Sequence, residues 1–355
     1  MFNMVSIALD IGGANTKICA FEREVIFYES RYFPMWRCKD NFSGFLSELK
    51  GDVFKKIEEK LNQKLCGKFP VGVTMTAELC DAFETKNEGV IFILKSVREV
   101  FSQAEIFVLL NDGSLCDVDF AVKNPYRAAS ANYMASAHFV SGICREYNHK
   151  FAVLIDIGST TTDIIPIINY KITAAGMSDF ERLGDHKLLY TGALRTSLSA
   201  IVNSVEINGK FYNISSEMFS ITADVYHLLG DIGEDDYKCE TPDGRGKTVG
   251  ECSARIARIL CSDINEIESE DIKSIAKFIK EKQLEMISKE IKEALKSMGK
   301  GDDFSGVVFF TTGSGSFLAR QALRNMGADE RMIIRLDISA CCALSVMVYD
   351  FGKIK

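Results

Sequence analysis

The stretch Phe151–Ile167 reads FAVLIDIGSTTTDIIPI and places polar residues in the middle of an apolar run. The Val and Ile residues favour a buried strand that reaches Asp156. Gly158–Thr161 would form a tight turn, and a returning strand would begin at Thr162. Such a turn exposes N–H groups and hydroxyls to the oxygens of a ligand, and an aspartate beside it can hold Mg²⁺ through water. The stretch therefore predicts a β-hairpin that binds phosphate.

The same pattern occurs near the start of the sequence, where Ile7–Phe21 reads IALDIGGANTKICAF. An offset of 146 residues aligns Asp10 with Asp156 and Gly12 with Gly158. Two ordinary glycine-containing hairpins in unrelated sheets are the alternative. The shared register of aspartate and glycine favours a duplicated architecture in which each half opens with a phosphate-binding hairpin.

A third turn of this kind lies near the end of the sequence. The strand-like segment GVVFFTT runs directly into Gly313-Ser314-Gly315-Ser316, and a helix is predicted from Phe317. A Gly/Ser turn between a strand and a helix N-terminus is an anion-binding site in principle.

Composition sets the class of protein. A chain of 355 residues predicts two domains, and a net charge of −7 argues against nucleic acid as a partner. No apolar run is long enough to cross a membrane and no signal peptide is evident, so we expect a cytoplasmic protein.

The eleven cysteines are odd in number and contain no C-x-x-C pair, and there are only four histidines. This pattern indicates reduced thiols and makes a zinc site improbable.

The segment Ala77–Gly89, AELCDAFETKNEG, is unusually acidic. Its carboxylates, Glu78, Asp81, Glu84 and Glu88, are spaced three and four residues apart and would share one face of a helix. This is either a solvated acidic face at a helix start or a group that carries chemistry, because loops after strands do so in α/β folds.

Other segments receive plainer predictions. Trp36 and Arg37 lie in a predicted loop, where the tryptophan is either a hydrophobic plug or a stacking surface for an aromatic substrate. Pro125–Tyr147 is predicted as a single alanine-rich helix that connects the two halves. Ile264–Met298 is predicted as two amphipathic helices, and Leu336–Phe351 as a closing helix.

Three phosphate-type turns, at Asp10, Asp156 and Gly313, resemble those of the actin/Hsp70/sugar-kinase ATPase superfamily. The resemblance implies a two-lobed α/β fold, a duplicated ribonuclease H-like architecture with a central cleft. Lobe I would comprise residues 1–150 with the C-terminal helix 338–355 returning to it, and lobe II would comprise residues 151–337. The third turn would correspond to the adenosine motif of that superfamily.

Six motifs that follow one another along the chain point to one family within that superfamily. They are ALDIGGANTK, TMTAELCDAFETKNEGV, AASANY, IDIGSTTTDIIPI, YTGALRT and TPDGR. Together they resemble the family that includes the methanofuran biosynthesis condensing enzyme, in the hydantoinase/oxoprolinase-like branch. The resemblance implies a transferase that joins [5-(aminomethyl)furan-3-yl]methyl diphosphate to the phenol of γ-glutamyltyramine and releases pyrophosphate. The furan ring can stabilise positive charge on its CH₂, so the diphosphate can leave early and the protein must neutralise its charge. The phenol has a pKa of about 10, so at neutral pH it needs a base or a cation to become phenolate.

Residues already singled out suit the reaction that the resemblance implies. We assign Asp10 and Asp156 to Mg²⁺, and Lys17 to the leaving diphosphate. Glu78, Asp81 and Asp163 are the candidate bases, and Arg37, Lys86 and Arg195 are weaker candidates for substrate contacts. The candidate diphosphate-binding residues are Gly12, Gly13, Asn15, Thr16, Lys17, Gly158, Ser159, Thr160, Thr161, Thr162, Gly313, Ser314 and Gly315.

Two other functions stay open on the sequence. An ATP-dependent small-molecule kinase or an amidohydrolase-type enzyme of the same superfamily is supported equally by the generic phosphate turns. A non-catalytic nucleotide switch or assembly protein is disfavoured, because it would leave the acidic segment idle. ATP is a possible ligand that the condensing reaction does not need, and the sequence does not settle the oligomeric state.

Overall fold

The computed structural model describes residues 5–62, 64 and 69–354. The chain divides into two compact units. The first unit contains residues 1–147, 172–182 and 338–355, and the second contains residues 148–171 and 183–337. Residues 172–182, which lie within the range predicted for lobe II, thus group with the first unit.

Fourteen strands occur in the described part of the chain. In chain order they are β1 (Ser6–Ile11), β2 (Asn15–Phe21), β3 (Val25–Tyr32), β4 (Pro70–Met75), β5 (Glu105–Leu109), β6 (Leu115–Cys116), β7 (Phe151–Ile157), β8 (Thr162–Ile168), β9 (Lys171–Ile172), β10 (Leu188–Leu189), β11 (Ser204–Ile207), β12 (Lys210–Asn213), β13 (Val307–Thr312) and β14 (Ile333–Arg335).

Twelve α-helices occur in the same described residues. In chain order they are α1 (Met35–Cys38), α2 (Phe42–Leu61), α3 (Lys86–Val100), α4 (Val118–Lys123), α5 (Pro125–Ala128), α6 (Asn132–Glu146), α7 (Asp179–Gly184), α8 (Thr222–Leu229), α9 (Val249–Arg258), α10 (Ser269–Ser297), α11 (Ser316–Asn325) and α12 (Ala340–Ile354).

The two main sheets repeat one topology. The first has the order β3-β2-β1-β4-β5-β6 and the second the order β10-β8-β7-β13-β14. In the first sheet β1 pairs antiparallel with β2 and parallel with β4. In the second, β7 pairs antiparallel with β8 and parallel with β13. Both predicted hairpins are therefore present, and the predicted duplicated α/β fold of the actin/Hsp70/sugar-kinase type is confirmed.

Three helix predictions were wrong. Pro125–Tyr147 is not one helix, because the chain breaks between α5 and α6, where Ser130 adopts a left-handed conformation with φ 49°. Ile264–Met298 contains one long helix, α10, instead of two. Ala77–Gly89 forms a short 3₁₀ turn at Ala77–Leu79 and enters α3 only at Lys86, so the four carboxylates do not share one helix face.

Each unit has its own hydrophobic core, one centred on β1 and β4 and the other on β7 and β13. The closing helix α12 packs on the first sheet. A Cβ on Gly72 would lie 2.7 Å from Cγ2 of Val348, so only a glycine lets α12 approach β4 this closely. The Ser6 hydroxyl donates to the Ser345 carbonyl at 2.7 Å and fixes the register of the helix on β1.

Two further features concern the class of protein. Among the helices that the structure describes, none combines the length and apolarity needed to cross a membrane. The ten cysteines within the described residues are all free thiols.

Candidate functional site

The first hairpin turn is closed by its own backbone and supported by the segment after β3. The Gly12 N–H donates to the Asn15 carbonyl at 2.9 Å. The Met35 N–H donates to the Gly13 carbonyl, also at 2.9 Å. Gly12, Gly13 and Asn15 are half-buried, which leaves the turn accessible from one side. Arg37 lies two residues after Met35, exposed, on the segment that supports this turn.

The second hairpin turn has the same construction. The Gly158 N–H donates to the Thr161 carbonyl at 2.9 Å, and the Arg195 N–H donates to the Ser159 carbonyl at 2.8 Å. Gly192 packs directly against the turn, because a Cβ at that position would lie 2.5 Å from the Thr160 nitrogen. The motif YTGALRT therefore supports the second turn, and it places Arg195 beside it.

The repeat extends to the turns that follow the parallel strands. The Thr76 N–H donates to the Ile11 carbonyl at 2.9 Å, and the Gly315 N–H donates to the Ile157 carbonyl at 2.8 Å. Ile11 and Ile157 are equivalent under the offset of 146 residues. The turn after β4, which leads into Glu78, is thus the counterpart in the first unit of the Gly313–Ser316 turn in the second.

The Gly313 turn lies directly on the second hairpin. Gly313 has φ 83°, and a Cβ there would lie 2.3 Å from the Ile157 carbonyl oxygen and 2.6 Å from Oδ1 of Asp156. Both the conformation and the close approach require glycine. Ser314 is exposed, and α11 begins at Ser316. The second unit therefore brings Asp156, the second turn and a helix N-terminus together, an arrangement that suits an anion.

A buried polar network behind the second turn could not be read from the sequence. Gln283 of α10 is fully buried, and its amide nitrogen donates at 2.9 Å to Oγ1 of Thr191 and to the Gly192 carbonyl. Its amide oxygen accepts a hydrogen bond from the Tyr226 hydroxyl. The Thr162 hydroxyl donates to the Thr191 carbonyl at 2.7 Å. Gln283 lies 92 and 91 residues from Thr191 and Gly192 and 57 residues from Tyr226, and nothing in the local pattern marks it.

The two threonines that begin the returning strands face the interior. Thr16 and Thr162 are buried, and the Thr162 hydroxyl already donates within the second unit. Thr160 and Thr161 are half-buried, and Oγ of Ser159 lies 3.4 Å from Oγ1 of Thr160. The more accessible hydroxyls are thus those of the turn rather than those of the strands.

Asp10 and Lys17 form an ion pair across the first hairpin. They are directly opposite in the β1–β2 register, and Nζ of Lys17 lies 2.8 Å from Oδ2 of Asp10. Asp10 is 2% exposed and Lys17 is 36% exposed. The lysine therefore pairs with a buried carboxylate while part of its own side chain stays exposed.

The acidic side chains near the turns show what kind of magnesium site the described residues can form. Among the described residues, no three His, Cys, Asp or Glu side chains cluster as a metal site would require. Each hairpin instead supplies one aspartate. Mg²⁺ is usually held by one or two carboxylates together with substrate phosphates and water. Within each unit, the single aspartate beside the turn suits a magnesium ion that arrives with a phosphate ligand, and the described residues form no cage for the ion alone.

Glu78 differs sharply from the other candidate bases. Its side chain is fully buried, the Ser130 hydroxyl donates to its Oε1 at 2.6 Å, and Oε2 has no hydrogen-bond partner in the described structure. Burial raises the pKa of Glu78 from 4.5 to about 7, against the opposing effect of the Ser130 hydrogen bond. Asp81 is exposed, and Asp163 is half-buried in β8, in the second unit.

Charged neighbours of Glu78 come from two helices of the first unit. Lys86, the first residue of α3, lowers the pKa of Glu78, whereas Asp179 of α7 raises it. Both effects are smaller than that of burial. The structure thus brings Lys86 close to Glu78, while Arg37 lies by the first turn and Arg195 by the second.

Comparison with known proteins places the chain among relatives. Residues 70–354 match the model of the family described as hydantoinase/oxoprolinase. The chain is 36% identical over 330 residues to the (4-{4-[2-(gamma-L-glutamylamino)ethyl]phenoxymethyl}furan-2-yl)methanamine synthase of Methanocaldococcus jannaschii, covering 93% of this chain and 90% of the relative. The Methanococcus vannielii protein of the same name is 37% identical over 177 residues, which cover 50% of this chain and 77% of that protein.

Solved structures are more distant. The activator of the 2-hydroxyisocaproyl-CoA dehydratase from Clostridium difficile, with bound ADPNP, is 12% identical with a TM-score of 0.45, covering 99% of this chain and 96% of that one.

Proposed function

Because the chain belongs to the hydantoinase/oxoprolinase family and, within it, to the group of furan-methanamine synthases named above, we propose that it forms an aryl ether in methanofuran biosynthesis. The donor would be [5-(aminomethyl)furan-3-yl]methyl diphosphate and the acceptor γ-glutamyltyramine. The C–O bond to diphosphate breaks, the phenol oxygen bonds to the furanyl CH₂, the phenol proton passes to a base and pyrophosphate leaves.

One observation carries this proposal: the 36% identity to the Methanocaldococcus jannaschii synthase extends over 93% of the chain. An alignment over 93% of this chain and 90% of the relative spans most of both units, so the likeness is not confined to one part of the chain. Likeness of fold alone would not support this choice, because one fold hosts many functions.

The hairpin turns would hold the leaving diphosphate. Their backbone N–H groups, the hydroxyls of Ser159 and Thr160, and the Lys17 ammonium are donors suited to phosphate oxygens. Asp10 and Asp156 are the residues that would hold Mg²⁺, which would neutralise charge that develops on the departing oxygen. The Gly313 turn would bind part of the substrate or pack the fold.

Glu78 is the base that we assign to the phenol, ahead of Asp81 and Asp163. A carboxylate with a pKa of about 7 can accept a proton near neutral pH, whereas an ordinary exposed carboxylate is a much weaker base. Its Oε2 has no other hydrogen bond to break, and such a base contributes roughly 10²- to 10⁴-fold to the rate. Lys86 would help to keep the carboxylate ionised.

The test is a reaction without nucleotide. Purified protein, furanylmethyl diphosphate, γ-glutamyltyramine and Mg²⁺ should yield pyrophosphate and the ether in equal amounts, measured by a pyrophosphate assay and mass spectrometry. Added pyrophosphate should compete with the furan substrate, because both would occupy the same turns. EDTA should lower the rate strongly, and an undiminished rate would remove magnesium from the assignment of Asp10 and Asp156.

A kinase-like enzyme would behave differently. It would need ATP and would form ADP in step with product, so stoichiometric ADP would overturn the proposed transfer. A chain that binds nucleotide but converts neither substrate would favour the switch or assembly function instead.

A further inference from the structure

Ser130 lies in the motif AASANY, to which the proposed reaction assigns no role. It occupies the break between α5 and α6, and it is buried, 5% exposed. Its φ of 49° lies in the left-handed region, which residues other than glycine rarely adopt. Strained conformations of this kind persist where the surrounding structure enforces them, and they concentrate at functional sites.

The strained conformation aims the Ser130 hydroxyl at one atom. Oγ of Ser130 donates to Oε1 of Glu78 at 2.6 Å, across 52 residues of sequence, and both groups are buried. Oε2 of the same carboxyl has no partner in the described residues. The serine therefore fixes one oxygen, while the other is buried without a hydrogen bond.

The backbone of Glu78 packs closely against α3. A Cβ on Gly89 of α3 would lie 2.6 Å from both the Cα and the carbonyl oxygen of Glu78. With α3 against its backbone and Ser130 on its side chain, the carboxyl group has little freedom to rotate. This is the arrangement expected of a group that must meet a substrate atom at a defined position.

We propose that Ser130 is a positioning residue for Glu78: its hydroxyl holds Oε1, orients the carboxyl group and presents Oε2 as the oxygen that exchanges a proton with the substrate. The proposal rests on the proposed role of Glu78 as base. No bond to carbon or phosphorus changes at Ser130, and the proton that leaves the phenol resides on Oε2 of Glu78.

The test compares the variants Ser130→Ala and Ser130→Gly by titrating the Glu78 carboxyl with isotope-edited infrared spectroscopy, the band being assigned with Glu78→Gln. Both variants lose the hydroxyl, but glycine also tolerates the left-handed backbone. Because a hydrogen bond to the ionised form lowers a carboxyl pKa, both should raise the pKa of Glu78 by about one unit. Lys86 and Asp179, the other charged groups that face Glu78, are unchanged in both.

Ser136→Ala is the matched control. Ser136 is buried in α6, six residues after Ser130, and its hydroxyl has no hydrogen-bond partner in the described structure. Its removal should leave the titration of Glu78 unchanged. An unchanged titration in both Ser130 variants would overturn the proposal, and so would a change in Ser130→Ala that Ser130→Gly does not share, because the backbone and not the hydroxyl would then be responsible.

The rate profile separates this inference from the proposed function. In wild-type protein we expect kcat/KM to rise with pH through about 7, and the rise should move to higher pH in both Ser130 variants by the same amount as the titration. A shifted titration without any ether formation would leave Ser130 as the residue that orients Glu78 and would refute the proposed transfer.

Discussion

At the scale of single residues, Glu78 links the stability of the protein to pH. Burial raises the pKa of Glu78 from 4.5 in the unfolded chain to about 7 in the folded protein. Between these values the folded protein keeps a proton that the unfolded chain has lost. The free energy of unfolding therefore falls as pH rises through this range, by about 3 kcal/mol in total.

Glu78→Gln should remove this dependence. Glutamine stays neutral, so the variant should lose the fall in unfolding free energy between about pH 4.5 and 7 and should be more stable than wild type above pH 7. Denaturant unfolding at pH 5 and pH 8 measures the difference. Asp81→Asn, at an exposed carboxylate three residues away, should retain the wild-type dependence. If the free energy of unfolding fell equally with pH in Glu78→Gln and in wild type, groups other than Glu78 would cause the fall.

At the scale of elements, the second turn depends on a loop that is distant in sequence. The YTGALRT segment lies against it, and Gly192 leaves no room for a side chain next to Ser159 and Thr160. Gly192→Ala should displace the turn and weaken pyrophosphate binding at least tenfold, measured by isothermal titration calorimetry, because the N–H groups that face the ligand would move.

Gly142→Ala serves as the control for that substitution. Gly142 is exposed in α6, and a Cβ there meets no atom within 4 Å. This variant should bind pyrophosphate as wild type does and should be slightly more stable, because alanine favours a helix interior. Unchanged pyrophosphate binding in Gly192→Ala would show that the second turn does not hold the anion.

The hairpins could be predicted from the sequence because their signals are local. Asp10, Gly12 and the strand residues around them lie within fifteen positions, and the repeat at Asp156 doubles the signal. The burial of Glu78 could not be predicted in this way, since its partner Ser130 lies in a segment whose alanines favour an unbroken helix. The same limit applies to Gln283, whose contacts with Thr191 and Gly192 arise only when α10 folds against the second turn.

At the scale of the whole molecule, the two units have separate cores, and the second contains a fully buried ion pair. Nε and Nη2 of Arg255 donate to Oδ1 of Asp224 at 2.9 Å and 2.7 Å, and neither side chain is exposed. The Tyr237 hydroxyl donates to the same oxygen at 2.9 Å, and the Ser220 hydroxyl donates to the other at 2.8 Å. This network joins α8 to α9 and, through Arg255, holds Asp243 of the TPDGR motif.

Asp224→Ala should destabilise the second unit by about 3–5 kcal/mol, because the buried Arg255 loses both hydrogen bonds to a buried carboxylate and keeps an ion pair only with the partly exposed Asp243. Hydrogen exchange measured by mass spectrometry should show faster exchange in α8 and α9, while β1 and β4 of the first unit keep the wild-type rate. Glu293→Ala, which breaks a surface ion pair with Lys296, should change neither unit. If hydrogen exchange became faster by the same factor in both units, the two units would unfold together.

The position of α12 on the first sheet has a consequence for biosynthesis. A ribosome translates the N-terminal strands first and α12 only after every residue of the second unit. Until then the face of β1 and β4 that Leu344 and Val348 cover has no partner, although the β1–β2 hairpin can already pair. The second unit can complete its core during that interval. The nascent first unit is therefore the part of the chain that we expect a chaperone to bind, because it begins first and is finished last.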